Sequence, residues 1–405
     1  MNIGELSSVN SGNHFHRYLQ YASVILSKYN GIEPLHLYLK KYFSENKKHG
    51  SRDRKQITSL CYHYFRLGFG VSSNIPMAEK FLLATFLLEK KPSLLLENLK
   101  PGWNQNIRLD IEEKIEIIKN IFDPNKIFPF RNELSDEINY QNFSLSFLIQ
   151  PKLFIRIRPG YKNSILNKLK SADILFEKIS DSCFAFANNE KVSDVINIDK
   201  EVVIQDYNSQ RVGDLLKSYI TYPTLSISTW DCCAASGGKS ILAYDLFKNI
   251  DISVSDTRKN ILENLKKRFT KAGITSYHSF VADLSVSTPL EEIQRKLPFN
   301  LIIADVPCSG SGTWSRTPEK LNYFSEKSIE TYSILQKKIV SNVAKYLIKD
   351  GYLLYITCSV FKKENEENVN FIQKNLNLVL IKSQYFKGYE IQADTLFIAL
   401  FQASI

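Results

Sequence analysis

From about residue 220 to its end the chain repeats one rhythm, and that rhythm leaves little freedom of fold. Apolar runs LSISTWDCC, DISVSD, NLIIADVP and GYLLYITCS alternate with helical stretches at 239–249, 258–272 and 326–348. Short apolar strands joined by helical crossovers predict an α/β, doubly wound, Rossmann-like and mainly parallel sheet. Ligands of such sheets sit beyond the carboxyl ends of the strands, so polar residues there are the first candidates for function. The closing run TLFIALFQ suits an extra edge strand.

The front of the chain has another period. HFHRYLQYASVILSKY, EPLHLYLKKYF, RKQITSLCYHYFRLGF and MAEKFLLATFLLEK repeat apolar residues at steps of three and four, which predicts an all-helical domain over 1–140. Lys40, Lys41, Lys47, Lys48, Arg52, Arg54 and Lys55 crowd its second and third helices. Between 145 and 215, PKLFIRIRPG, SCFAFA and EVVIQD read as strands around the helix YKNSILNKLKSAD. This predicts a small α+β segment whose first strand would expose Lys152, Arg156, Arg158 and Lys162 as an RNA platform. The sheet domain then covers 216–405.

Composition bounds the partners. The net charge of +10 favours a polyanion. The six cysteines form no C-x-x-C pair and the six histidines no ligand cluster, which predicts no metal and a reducing, cytoplasmic setting. No apolar run approaches about 20 residues, so no membrane span is expected, and MNIGELSSVNSG does not read as a secretory leader. A monomer is expected.

Four strand ends carry polar residues. The first opens into DCCAASGGKS, whose Gly238-Lys239-Ser240 ends like a P-loop. The P-loop's first glycine would fall at Cys233, where a side chain would crowd a phosphate cradle. The second strand ends at Asp256, where an acid grips ribose hydroxyls. The third, HSFVAD, ends at Asp283, placed for an adenine amine, and the fourth ends in ADVPCSGSG. As a set these describe a nucleoside site without a triphosphate.

Cys308, in Asp305-Val306-Pro307-Cys308, and Cys358, in Thr357-Cys358, follow central strands and should face one crevice. Two thiols beside a carboxylate and a nucleoside suit a particular problem. C5 of a pyrimidine becomes nucleophilic once a thiolate adds at C6. Asp305 would hold or protonate N3, which asks for a carboxyl of raised pKa.

DCCAASGGKS, DVPCSGSGTWSRTPE and YITCSVFKKENEENV together resemble the Sun/Fmu family of S-adenosyl-L-methionine-dependent RNA cytosine-C5 methyltransferases, over about 145–405. SRDRKQITSLCYHYFR resembles the NusB-like RNA-binding domain of the bacterial ribosomal RNA members. The resemblance implies that Cys358 attacks C6, that Cys308 helps expel the product, and that Asp305 stands between cofactor and base. It places the cofactor on Cys233, Ala234, Ala235, Ser236, Gly237, Gly238 and Lys239, with Asp256, Asp283 and Asp305. It implies 16S ribosomal RNA as substrate, with transfer RNA, or a non-catalytic assembly role, as alternatives.

The chain departs from the family at Ser236, where a proline is usual, and at Ile261, where an arginine is usual and Arg258 can substitute. Trp314 and Arg316 could stack on or clamp RNA or simply fix a loop. Glu364-Asn365-Glu366 reads as the start of a helix, and Gln205-Asp206 with Ser209-Gln210 as a shape-setting entry to the sheet domain.

Overall fold

The computed structural model describes residues 3–220, 226–247, 249–286, 293 and 298–404, with side chains from residue 14 onward. The chain forms two compact units. One comprises Met1–Asn132, Asn139–Gln150 and Trp314–Ser325, the other Glu133–Ile138, Pro151–Thr313 and Glu326–Ile405. The two units exchange chain segments, whereas the sequence suggested three consecutive parts.

The first unit is helical, with Ile3–Lys28, Leu35–Glu45, Ser51–Arg66 and Met77–Leu88 as its four long helices. The third starts where the Asp53 carboxylate accepts from the Gly50 amide at 3.1 Å, satisfying a donor that the first turn would leave open. Leu39, Leu60, Phe65, Phe81 and Phe86 fill the core. Trp314, expected as a possible RNA-stacking residue, is only 1% exposed. Its ring lies 4.8 Å from that of Phe324 and 6.1 Å from that of Phe128. An indole is too large an apolar body to leave in water when such a pocket exists, so Trp314 is a core residue of the helical unit.

The second unit holds two sheets. The smaller contains β1 (Leu153–Ile157), β2 (Glu177–Lys178), β3 (Cys183–Phe186) and β4 (Val202–Ile204), antiparallel in the order β2-β3-β1-β4. Arg156 and Arg158 of β1, expected on an exposed platform, are 5% and 8% exposed. Both pair with Asp245, at 2.6 Å and 2.9 Å. The alternation misled because one carboxylate on a packed helix lets the basic face be buried too.

The larger sheet contains β5 (Ile227–Asp231), β6 (Ile250–Asp256), β7 (His278–Val281), β8 (Phe299–Asp305), β9 (Leu347–Thr357), β10 (Leu378–Phe386) and β11 (Leu396–Ala403). Their order is β10-β11-β9-β8-β5-β6-β7. The pairs from β9 through β7 are parallel, and β11 runs antiparallel to both neighbours. The run TLFIALFQ is therefore an interior strand, which corrects the expected edge. Phe397 through Phe401 are all buried, as an unbroken apolar run requires on a strand covered on both faces. The edge belongs to β10, whose Lys382, Ser383 and Gln384 break the apolar pattern.

Helices Tyr207–Tyr219, Gly238–Leu246, Lys259–Ala272, Lys327–Ala344 and Glu366–Asn375 pack around this sheet. One core cluster gathers Leu215, Ile227, Leu301, Ile303, Leu354 and Ile398, and a second gathers Ile241, Ile252, Val254, Leu265 and Phe269. Each such side chain contributes about 1.5–3 kcal/mol on burial. The strand order reverses between β5 and β8, and a ligand crevice opens at the carboxyl ends there.

Candidate active site

The loop after β5 is held by its neighbours' backbone. Cys232 donates to Ile303 O at 3.0 Å, Ala234 to Ser255 O at 2.9 Å, and Gly237 to Ala234 O at 2.8 Å. Ala235 has φ +46° and Gly237 φ +82°. Only the glycine suits its place sterically, because a Cβ there would lie 2.8 Å from Phe269 and 3.0 Å from Leu265. Ala235 accepts left-handed strain of roughly 1–2 kcal/mol, offset where its amide donates to Asp256 Oδ2 at 3.1 Å.

The P-loop-like ending turns its polar side chains to carboxylates of its own unit. Ser240 Oγ turns inward to Asp231 Oδ2 at 2.6 Å, and Lys239 Nζ reaches Asp305 Oδ2 at 2.5 Å. Burial pushes the Asp231 carboxyl up to about 7, with the charge of Asp305 adding to the effect. Burial works against the Lys239 ammonium, yet Asp305 and Asp231 outweigh it and leave its pKa above the ordinary lysine value.

Asp256, Asp283, Asp305, Cys233, Ala235, Arg258, Cys308 and Cys358 share one cavity of about 650 Å³, a size that suits a nucleoside-sized ligand. Lys239, Ala234, Ser236 and Gly238 line a second cavity of about 300 Å³. The two cavities have Ala235, Asp305 and Cys358 in common. Arg258 holds Asp256 through its amide and its Nε, both at 2.9 Å. Burial raises the Asp256 pKa, but these bonds prevail and leave it below the ordinary carboxylate value. Asp283 is exposed, and the Ser285 hydroxyl and amide lower its pKa. Gly237 lies behind the loop and supports its shape.

The thiols of Cys308 and Cys358 are 3.2 Å apart. Contact with Cys358, together with burial, raises the Cys308 thiol well above the ordinary range. Their loops are fastened to each other. Gly312 donates to Cys358 O at 2.8 Å, and Thr395 donates to Gly312 O at 2.9 Å.

Glu364, fully buried, was not singled out for chemistry in the sequence. It accepts from the Ser309 amide at 2.9 Å, Gln336 Nε2 at 2.8 Å and Ser359 Oγ at 2.6 Å, so one carboxylate ties both cysteine loops. Asn365 joins Thr357 Oγ1 at 2.5 Å and Ser359 O at 2.9 Å. The cluster of serines in ADVPCSGSG and TCS was the available signal, because hydroxyls so placed need a buried acceptor. Gln336, on a helix remote in sequence, gave none.

Gln205, expected to set shape, is tied to β1 and also lines the smaller cavity. Its Oε1 accepts from Arg156 Nε at 2.9 Å, while Asp206 accepts from the Asn208 amide at 2.9 Å to start a helix. Departing from proline, Ser236 accepts through both its carbonyl and its hydroxyl from Arg268 Nη1, each at 2.9 Å. Arg268 also bonds Asp199 through Nε at 2.9 Å. Among the described residues no group of three or more His, Cys, Asp or Glu could hold a metal ion, and no described helix is long and apolar enough to cross a membrane.

Residues 222–400 match the model of the family described as 16S rRNA methyltransferase RsmB/F. The chain is 30% identical over 177 residues to the probable ribosomal RNA small subunit methyltransferase B of Bacillus subtilis, covering 43% of this chain and 38% of the relative. It is 29% identical over 169 residues to the human tRNA (cytosine(72)-C(5))-methyltransferase NSUN6, covering 40% and 35%. The matched segments thus span little more than a third of these relatives. Among solved structures, that of PH0851 aligns with a TM-score of 0.66 at 17% identity, covering 91% of this chain and 95% of the other. NSun6 from Pyrococcus horikoshii with SFG aligns at 0.53 and 14%, covering 63% and 92%. These likenesses show the fold, a Rossmann-like α/β sheet with its preceding elements.

Proposed function

We propose that this chain methylates C5 of a cytosine in small-subunit ribosomal RNA, a reading supported by the match of residues 222–400 to the model of the 16S rRNA methyltransferase RsmB/F family. The observation that carries the reading is the pair of thiols 3.2 Å apart where a nucleoside-sized cavity meets a second, smaller one. Binding RNA alone would need neither thiol, which weighs against a purely structural assembly role.

The larger cavity fits S-adenosyl-L-methionine by the chemistry of its walls. Asp256 offers carboxylate oxygens for ribose hydroxyls, Asp283 an acceptor for an adenine amine, and Leu284, Leu335 and Ile339 apolar surface for a ring. When bound, this cofactor supplies an electrophilic methyl group. The smaller cavity takes the cytosine, which must be unstacked to reach it.

Cys358, as thiolate, forms a bond to C6, and the ring's electron pair moves toward C5 and N3. Asp305, in its protonated form, gives its proton to N3 as that charge develops, and the Lys239 ammonium stabilises the carboxylate left behind. C5 takes the methyl group. Once Cys358 is bonded to carbon and no longer presses on it, Cys308 loses its proton to solvent and, as thiolate, removes the C5 proton. The ring double bond reforms and the Cys358–C6 bond breaks.

The basic helical unit, whose Lys40, Lys41, Lys47, Lys48, Arg52 and Lys55 are exposed, holds surrounding RNA through phosphates in the manner of a NusB-like domain. Transfer RNA is the second reading, favoured by the likeness to a tRNA methyltransferase.

The test is transfer of labelled methyl to RNA from a strain lacking the gene, followed by nucleoside analysis. Label in 5-methylcytidine of 16S RNA is expected, and label in the transfer RNA fraction would favour the second reading. Cys358→Ala should abolish transfer and leave RNA binding in place. Cofactor binding without labelled nucleoside, on free RNA or ribosomal particles, would overturn the proposal.

A further inference from the structure

Beside the smaller cavity, β1 and helix Tyr207–Tyr219 line a third one of about 430 Å³. Its floor has an unbalanced charge. Arg156 and Arg158 are both buried and both pair with one carboxylate, Asp245. Two guanidinium ions against one carboxylate leave a net positive charge in a place where unpaired charge is unfavourable by several kcal/mol. Arg158 uses its remaining donors on the carbonyls of Asp199, Lys200 and Ala272, but Arg156 Nη2 is buried with no hydrogen-bond partner.

The rim carries Lys162 paired with Asp181, one further carboxylate at Asp214, and two more cations, Arg211 and Lys217, so the cavity's lining remains positive in sum. The Arg211 guanidinium lies 4.1 Å over the Phe386 ring, and its hydrogen bond, to Asn208 Oδ1, is long at 3.4 Å. The ring contact thus seats the guanidinium and leaves most of its donors for a ligand. Lys217 is exposed. Neither residue has a carboxylate within ion-pair distance among the described residues.

We propose that this cavity binds a phosphodiester of the RNA strand whose target base enters the neighbouring cavity. A planar, pre-positioned fork over a positively charged floor matches the geometry of phosphate oxygens. Continuity with the active site argues for a strand over a free anion. Gln205, which accepts from Arg156 at 2.9 Å, also lines the smaller cavity with Asp305 and Cys358. The assignment rests on RNA being the substrate, and its test reads binding alone, so a failure of methyl transfer would not be mistaken for a failure of this site.

The experiment measures the affinity of a short single-stranded RNA containing one cytosine as a function of salt. Each phosphate contact on single strands contributes about 0.7 to the slope of log affinity against log salt. The double variant Arg211→Ala, Lys217→Ala should lower the slope by about 0.7, the value for one phosphate, and Arg211→Ala alone by part of that. Lys374→Ala, on a different helix, should leave the slope unchanged. Unchanged affinity for S-adenosylhomocysteine certifies that the variants are folded. A wild-type slope in the double variant, or an equal drop in Lys374→Ala, overturns the assignment. So does tight binding of inorganic phosphate that responds to the substitutions while RNA binding does not.

Discussion

Arg268→Ala tests how the loop proposed to hold the cofactor is kept in shape where Ser236 stands. Arg268 Nη1 donates to the Ser236 carbonyl and hydroxyl, each at 2.9 Å, and its Nε and Nη2 meet Asp199 Oδ1 at 2.9 Å and 2.8 Å. The next residue back, Ala235, holds φ +46° and relaxes once the loop is released. Each charge-assisted bond at this part-buried position stabilises the loop by about 1 kcal/mol. Ser236→Ala removes one of the two loop bonds and should weaken S-adenosylhomocysteine about fivefold. Arg268→Ala removes both, a loss of about 2 kcal/mol, and should weaken it about 30-fold. It also strands the buried Asp199 carboxylate, so global stability should fall by about a further 1–3 kcal/mol. Calorimetric titration with S-adenosylhomocysteine gives the first quantity and urea unfolding the second. The double variant should bind no worse than Arg268→Ala, because both changes cut the same tether. A folded Arg268→Ala protein whose affinity lies within twofold of wild type would refute the reasoning.

Three other outcomes follow from the same geometry. Cys308→Ala should leave attack intact and impair release, so a slow-migrating RNA adduct should build up on a denaturing gel; its absence would count against the proposed division between the thiols. Asp231 is raised by burial to about 7, above its unfolded value of about 3.9. The native state therefore holds a proton that the unfolded chain has released, and the stability due to it is lost as pH rises from about 4 through 7, on the order of 4 kcal/mol in all. Asp231→Asn should remove that slope, so urea melts of the two proteins should diverge toward high pH in favour of the variant. A Cβ at Gly312 would stand 2.2 Å from Thr395 O and 3.0 Å from Cys358 O. Gly312→Ala should thus displace the Cys358 loop and lower methyl transfer at least tenfold, with S-adenosylhomocysteine binding, measured by titration, little changed.

The parallel part of the large sheet was legible because β5, β6, β8 and β9 are apolar runs bounded by turn residues, and their polar ends fall where ligands bind. The two thiols were legible as neighbours for the same reason. β10 and the position of β11 were not. LVLIKSQYF is a third polar because it is an edge, and an interior antiparallel strand has the same apolar run as an edge would have if covered. Arg156 and Arg158 misled because burial of a basic face depends on Asp245, whose side chain comes from a helix about 90 residues downstream. Trp314 misled because the stretch after the Pro-Cys motif packs into the helical unit, a contact that no local pattern encodes.

The parts that sequence could not reach explain the spacing of those it could. Cys308 and Cys358 end different strands, and their loops would drift independently if only their own backbones held them. The Glu364 carboxylate takes the Ser309 amide from one loop and the Ser359 hydroxyl from the other, while Gly312 spans from Cys358 O to the Thr395 amide. Removing water from such a carboxylate is unfavourable, so its retention with full hydrogen bonding indicates a geometry that an apolar core could not impose. Two thiols held at contact distance beside Asp305 suit a reaction in which one sulfur bonds C6 while the other acts at the adjacent C5. A single nucleophile would need no such clamp, and the clamp is the part of this site that a pairwise reading of motifs would leave without a purpose.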